Sequence, residues 1–103
     1  MKRLPVVALA VVSEDIQAAY DYFSARSSGG GDQLLDRYFA TTDRIGLNAE
    51  SFPMKFDDYR RALVPKSYLA IYYFVEPERS VIAAVIGARR HPRLIRDLIR
   101  TRR

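Results

Sequence analysis

The 103-residue chain contains no cysteine, no tryptophan and only one histidine. Without cysteine it cannot form disulfides, use a thiol nucleophile or bind zinc through thiolates, and this composition fits the reducing cytoplasm. The single histidine, His91, lies between Arg90 and Pro92, where a surface role is more common than a role as general base. These absences favour a protein that binds a target over one that catalyses a reaction.

Other functional signatures are missing as well. The glycine run 29–31 follows a predicted helix and lacks the Gly-Lys-Ser/Thr ending of a phosphate-binding loop. Asp57 and Asp58 are adjacent carboxylates without a histidine or a third acid nearby, which is typical of a solvated loop rather than of a metal site. The apolar stretch 4–12 is too short to cross a bilayer. We therefore expect no metal, no cofactor and no membrane association.

The composition is that of one folded domain with an uneven charge. Hydrophobic residues make up 49% of the chain, enough for a single core, and we expect residues 1–103 to form one domain. Residues 89–103 hold seven arginines and one acid, a charge of +6, whereas the rest of the chain has a charge of −1. Such a cluster either attracts an acidic partner or is a solvated basic helix.

Three short runs rich in β-branched and aromatic residues form the centre of the chain. They span 59–64, 68–76 and 81–88, and turn residues separate them. Neither gap has room for a crossover helix, so the three predicted strands are antiparallel neighbours. The third run shows no polar alternation, which predicts an interior strand covered on both faces. A period of two in the second run predicts that Ile71 and Tyr73 face the core.

Before these strands the sequence predicts a strand over 4–12 and two amphipathic helices joined by the glycine run. Ser13 is expected to cap the first helix and Asp32 the second. The segment 47–58 has no sustained period and is predicted to be a loop. After the strands, Pro92 begins a basic helix whose apolar stripe packs either on its own sheet or on a partner. The predicted order is β-α-α-β-β-β-α, an α+β fold with a helical hairpin on a small antiparallel sheet.

The order and spacing of several short segments carry a family resemblance. They are Arg-Arg-Ala-Leu (60–63), Tyr68 with Ala-Ile-Tyr-Tyr (70–73), Val-Glu (75–76), and Ala-Arg-Arg (88–90) before Pro92. This pattern resembles the toxins of the ParE/RelE superfamily and is closest to the ParE, or plasmid-stabilisation, branch. Many relatives carry a histidine before the Gly/Ala-Arg-Arg turn, whereas this chain has Ile86-Gly87. The resemblance implies a RelE/ParE-like fold with the element order derived above.

The resemblance also implies a function, the toxin of a type II toxin–antitoxin system of ParE type. Such a toxin inhibits DNA gyrase in the cytoplasm by binding it, and a ParD-type antitoxin neutralises it. Relatives of RelE type instead cut messenger RNA on the ribosome, using basic side chains and a Tyr or His near the C-terminus. No tyrosine follows Tyr73 in this chain, so gyrase binding without catalysis is the better fit. A ribosome-dependent mRNA interferase, which would be an endoribonuclease, and a non-toxic regulatory binding protein are the alternatives.

Two surfaces are expected from the same resemblance. The target-binding surface is placed around the sheet end and the basic C-terminal segment, with these candidates: Arg60, Arg61, Arg89, Arg90 and Arg93. The antitoxin is expected to lay an amphipathic helix over the hairpin near Tyr20 and Phe23. Leu94 and Leu98 on the last helix are further candidates for antitoxin contact. Nucleic acid would be contacted only indirectly, through the antitoxin or the target.

Overall fold

The structure, a computed structural model, describes residues 3–103 and contains three helices and a five-stranded sheet. The elements are, in chain order, β1 (Val6–Ala8), α1 (Val12–Arg26), α2 (Gly30–Leu47), a short 3-10 helix (Ala49–Ser51), β2 (Met54–Phe56), β3 (Tyr59–Leu63), β4 (Leu69–Val75), β5 (Ser80–Gly87) and α3 (Pro92–Arg100). The α+β class and the helical hairpin on a small sheet agree with the sequence prediction.

The sheet has the strand order β1-β5-β4-β3-β2 and is mixed, not antiparallel throughout. Strands β3, β4 and β5 are antiparallel neighbours, as the short gaps between them predict, and β5 lies in the sheet interior. Strand β1 runs parallel to β5, with Val6 opposite Ser80. The predicted all-antiparallel sheet is wrong at this edge because no tight turn connects β1 to β5, so local sequence does not fix its direction.

The segment 47–58 is not the loop that the sequence predicts. Its last part forms β2, which pairs with β3 through Met54 opposite Arg60 and through Phe56 opposite Tyr59. Asp57, with a φ of 48°, begins the two-residue turn between these strands. Aspartate tolerates this left-handed conformation better than most residues. Three strand residues between a proline and a turn are too few to show a period, so the sequence does not predict this strand.

The sheet is covered on both faces by two separate apolar clusters. Ile71 and Tyr73 point into the cluster under α1 and α2, as their period of two predicts. Tyr72 and Phe74 point into the second cluster, where Ile95 of α3 covers them. The question that the sequence leaves open is therefore answered, since α3 packs on its own sheet. Because α3 covers this second face, Tyr72 is only 2% exposed.

Both predicted helix caps are wrong. Helix α1 begins at Val12, and the Ser13 hydroxyl donates a hydrogen bond back to the carbonyl of Ala10 instead of capping the helix. Helix α2 begins at Gly30 after Gly29, whose φ of 74° is left-handed, and Asp32 lies within its first turn. A glycine is favoured at this left-handed position because it has no Cβ to crowd the backbone.

Gly30 lets the two helices of the hairpin approach each other closely. A Cβ at this position would lie 2.3 Å from the carbonyl oxygen of Phe23, a backbone atom that cannot turn away. We expect Gly30→Ala to lower the free energy of unfolding by about 1–3 kcal/mol, the usual cost of overpacking. Gly87→Ala is the matched control, since its Cβ would meet Arg90 only at 4.0 Å. Urea denaturation of both variants tests this, and equal stabilities would contradict it.

We expect the stability of the folded protein to fall at alkaline pH because Tyr73 is buried. Its ring is fully buried, its hydroxyl donates a hydrogen bond to the carbonyl of Ala49, and burial raises its pKa from 10.0 to about 12. Between these values the unfolded chain has released the phenolic proton while the folded chain still holds it, so stability is complete below pH 10 and falls as the pH rises towards 12. Urea midpoints should therefore drop over this range, with a smaller drop in Tyr73→Phe. An equal drop in both proteins would contradict the assignment.

Candidate functional site

A pocket lined by cations opens on the second face of the sheet, beside the start of α3. We call it the basic pocket; it has a volume of about 220 Å³, and its lining residues are Lys55, Phe56, Arg61, Tyr72, Ala88, Arg90, Pro92, Ile95 and Arg96. Strands β2, β3 and β4, the segment after β5 and the first turn of α3 each supply part of the wall. Aromatic rings and four cations thus converge from elements that are far apart in the sequence.

The four cations of the basic pocket have no acidic partner within the described residues. Lys55, Arg61, Arg90 and Arg96 take part in none of the ion pairs found there. The Nε of Arg61 is buried and has no hydrogen-bond acceptor. The guanidinium of Arg96 lies 5.5 Å from the centre of the Phe56 ring. Guanidinium groups without an acidic partner, next to the apolar and aromatic side chains of the pocket, suit a bound carboxylate or phosphate group. Such a group would supply the missing hydrogen-bond acceptors.

The structure brings together only two of the five predicted target-binding arginines. Arg61 and Arg90 line the basic pocket. Arg60 is the neighbour of Arg61 in β3, and successive strand residues point to opposite faces, so it lies on the other side of the sheet. There its guanidinium donates hydrogen bonds to the carbonyls of Glu50 and Phe52, which indicates a structural role. The expectation that Arg60 shares one rim with the others does not agree with this placement.

Arg89 and Arg93 lie near the basic pocket without lining it. The guanidinium of Arg89 stacks 3.6 Å from the centre of the Tyr68 ring, which is 66% exposed. Tyr68 has a φ of 58°, a strained value for an aromatic residue, and it precedes β4. Arg93 is exposed in the first turn of α3.

The positive charge of the C-terminal segment is partly neutralised inside the domain. Three of its seven arginines pair with acids: Arg100 with Asp57 at 3.3 Å, Arg102 with Asp15 at 2.6 Å and Arg103 with Asp58 at 2.8 Å. The Arg103 hydrogen bonds hold the pKa of Asp58 below its usual value. Of the four arginines of this segment without an acidic partner among the described residues, Arg90 and Arg96 line the basic pocket. Lys55 and Arg96, which no sequence pattern indicates as site residues, belong to the basic pocket because β2 and α3 meet there.

A second concave surface, which we call the apolar groove, runs between α1 and α2. It has a volume of about 570 Å³, and its lining residues are Ala8, Val12, Ser13, Ile16, Gln17, Tyr20, Asp32, Leu35, Tyr38 and Phe39. Phe39 is 58% exposed, a large value for an aromatic side chain on a folded domain. At one end the hydroxyl of Tyr20 donates a hydrogen bond to Asp32, and that carboxylate raises the pKa of Tyr20. The groove is mainly apolar with a small polar end, which suits an amphipathic helix.

The four predicted antitoxin-contact residues do not form one surface. Tyr20 lines the apolar groove, while Phe23 packs against the core under the hairpin. Leu94 is 63% exposed on α3, and Leu98 is half-buried against the second cluster. Since α3 lies on the opposite face of the sheet from the hairpin, Leu94 and Leu98 are separated from the groove by the sheet.

Two candidate acid–base side chains, His91 and Tyr72, differ in their relation to the basic pocket. His91 lies at the start of α3, where its Nδ1 accepts a hydrogen bond from the backbone amide of Arg93, and it does not line the basic pocket. Tyr72 lines the pocket but is buried in the sheet face. Within residues 3–103, no three His, Cys, Asp or Glu side chains form a group that could hold a metal ion. The cations of the basic pocket can bind an anion.

None of the helices described within residues 3–103 combines the length and the apolarity that crossing a bilayer requires.

Comparisons with known proteins identify the fold. No protein-family model and no curated protein matches the sequence. Among solved structures, the chain is similar to a chain of the "Chromosomal ParDE TA system from P. aeruginosa", with a TM-score of 0.70. The match covers 82% of this chain and 96% of the other, at 11% sequence identity. The chain therefore has a ParE-like fold, as its resemblance to the ParE/RelE superfamily implies.

Proposed function

We propose that this chain is the toxin of a type II toxin–antitoxin system of ParE type, which inhibits DNA gyrase in the cytoplasm by binding it. The fold similarity to a ParDE structure and the sequence resemblance in 59–92 support the toxin–antitoxin assignment. The single observation that carries the mode of action is the basic pocket, where four cations lack acidic partners within residues 3–103. Such a site attracts and holds an anionic surface.

The proposed partner is an antitoxin of ParD type encoded beside the gene. An amphipathic helix of this partner would occupy the apolar groove and cover Phe39, which water now contacts. An acidic segment following that helix would reach the cations of the basic pocket. The charge complementarity would speed the encounter and add specificity, while the apolar contacts would supply most of the affinity.

Controlled expression in bacteria tests the proposed function. Induction of the chain alone should arrest growth and switch on the DNA-damage response, and co-expression of the neighbouring reading frame should restore growth. Normal growth with the chain present in soluble, folded form would contradict the proposal. Growth arrest without a DNA-damage response would support toxicity and exclude gyrase as the target.

The basic pocket also favours a second candidate, a ribosome-dependent mRNA interferase, because unpaired arginines suit the phosphates of an RNA backbone. This function predicts cleavage of messenger RNA in a translating extract. Intact transcripts in the presence of inhibitory amounts of the chain would exclude it. A chain that binds its partner and leaves growth unaffected would instead be the non-toxic regulatory protein.

A further inference from the structure

One edge of the sheet is completed by side chains and not by a strand. Strand β1 ends at Ala8, opposite Ile82, and the amide of Leu9 makes the last backbone hydrogen bond to the Ile82 carbonyl. Strand β5 continues to Gly87, so its outer edge beyond Ile82 has no strand neighbour within residues 3–103. A register shift against β4 also leaves Ala83 without an opposite residue. An edge of this kind exposes backbone groups that need partners.

Asp15 and Arg102 supply those partners from opposite faces of the sheet. Asp15, in the first turn of α1, accepts a hydrogen bond from the Val85 amide at 3.0 Å. Arg102, which follows α3, donates to the Ala83 carbonyl at 3.1 Å. The two side chains also pair with each other through both guanidinium Nη atoms, at 2.6 and 2.9 Å. Together they occupy the place that a longer β1 would fill, and they tie the end of the chain to the hairpin.

The Asp15–Arg102 pair differs from the other ion pairs of the C-terminal segment. Its side chains are only 10% and 12% exposed, whereas those of the Arg100–Asp57 pair are 55% and 49% exposed. The hydrogen bonds that the Arg102 guanidinium donates to the Asp15 carboxylate raise the pKa of Arg102. Shielded, bidentate pairs are much stronger than pairs that water surrounds. Among the three ion pairs, this one therefore contributes most to holding the end of the chain.

Helix α3 depends on contacts with the rest of the protein for its stability. It has nine residues, which is too short for a helix that is stable by itself, and only Ile95 and Ile99 are fully buried. Its first turn forms one wall of the basic pocket through Pro92, Ile95 and Arg96. If α3 leaves the sheet, the basic pocket loses that wall. The hairpin and its core lie on the other face of the sheet and can stay folded.

We propose that the Asp15–Arg102 pair is a latch that fixes α3 on the sheet and thereby keeps the basic pocket assembled. Opening the latch releases α3 as a separate local unit while the core under α1 and α2 stays folded. The two residues are positioning residues, since neither lines the basic pocket. The role of the pair in holding α3 does not depend on the proposed function. Only the consequence for toxicity rests on that function.

Hydrogen exchange of the full chain tests the latch directly. Arg102→Met removes the guanidinium and keeps much of the side-chain length. We expect amides 95–99 to exchange about 10- to 100-fold faster in this variant, because α3 opens locally. Amides of α2 from 34 to 45 should change by less than about 3-fold, since their exchange follows global unfolding. Arg100→Met is the matched control, and its exposed ion pair predicts little change in either group.

Two results would overturn the latch. Equal acceleration in α3 and α2 would mean that the pair stabilises the whole domain, and unchanged α3 amides would mean that the pair does not hold the helix. If Arg102→Met does not fold, Asp15→Asn applies the same criteria, because asparagine keeps an oxygen acceptor for the Val85 amide. Toxicity is measured in parallel, and a latch variant with a folded core should inhibit growth less. A wild-type chain without toxicity would contradict the proposed function and leave the exchange test intact.

Discussion

Replacing Arg61 and Arg90 with glutamate is expected to abolish growth inhibition while the protein stays folded. The double substitution turns a pocket of four cations into one with no net charge, so an anionic surface of the target loses both its attraction and its hydrogen-bond donors. Removing charged partners from a desolvated contact costs about 2–5 kcal/mol, which corresponds to a loss of affinity of roughly 30- to 5000-fold. Viable counts after induction are the measurement.

Stability should change little in this variant, because neither arginine takes part in an ion pair within the described residues. We expect the free energy of unfolding to stay within about 1 kcal/mol of the wild type. Arg26→Glu is the charge control, since Arg26 is exposed at the end of α1 and stacks on Tyr22, far from the pocket. Full toxicity in the double variant, or equal loss in the control, would place the effector surface elsewhere.

Phe39→Asp should prevent the antitoxin complex from forming. Phe39 is the exposed aromatic side chain of the apolar groove, and we expect a partner helix to bury it. Loss of a central aromatic anchor costs about 2–4 kcal/mol, or roughly 30- to 1000-fold in affinity, and an unpaired carboxylate in the interface adds to this. Because the ring is exposed in the free chain, the substitution should leave its folding nearly unchanged. Isothermal titration of the chain with the neighbour-encoded protein measures the effect.

Tyr22→Asp is the matched control for this experiment. Tyr22 is 51% exposed on the same hairpin, but it lies outside the apolar groove. We expect its substitution to leave the affinity within about threefold, as for residues outside an interface core. Equal losses in both variants would refute the groove as the binding site, and a complex that tolerates Phe39→Asp would do the same. Phe23 is unsuitable for this test because it packs against the core.

Short-range signals explain what the sequence predicts correctly. The turns that separate β3, β4 and β5 leave no room for a crossover, and this fixes their antiparallel order. Pro92 begins α3 as its fixed φ suggests, and a period of two correctly directs Tyr73 towards the hairpin core. These local rules and the family resemblance together predict the fold, although the sequence identity to the ParDE chain is only 11%.

The composition of the site was less predictable because it depends on contacts between distant segments. Arg60 and Arg61 are neighbours in the sequence, yet the pleat of β3 separates them onto opposite faces, and only the position of α3 decides which face carries the pocket. The sequence places Arg102 in a basic segment that could be solvated. In the structure it binds Asp15, which is 87 residues away in the chain. Lys55 enters the site only because β2 forms.

The most direct test of the proposed function is a DNA-cleavage assay with purified gyrase, supercoiled plasmid, ATP and the purified chain. We predict that linear plasmid accumulates after protein denaturation and protease treatment, because the bound toxin stabilises the gyrase cleavage complex. The Arg61→Glu/Arg90→Glu variant should give no linear product, and the Arg26→Glu control should give as much as the wild type. Absence of linear plasmid at chain concentrations well above that of gyrase would contradict gyrase poisoning by this protein.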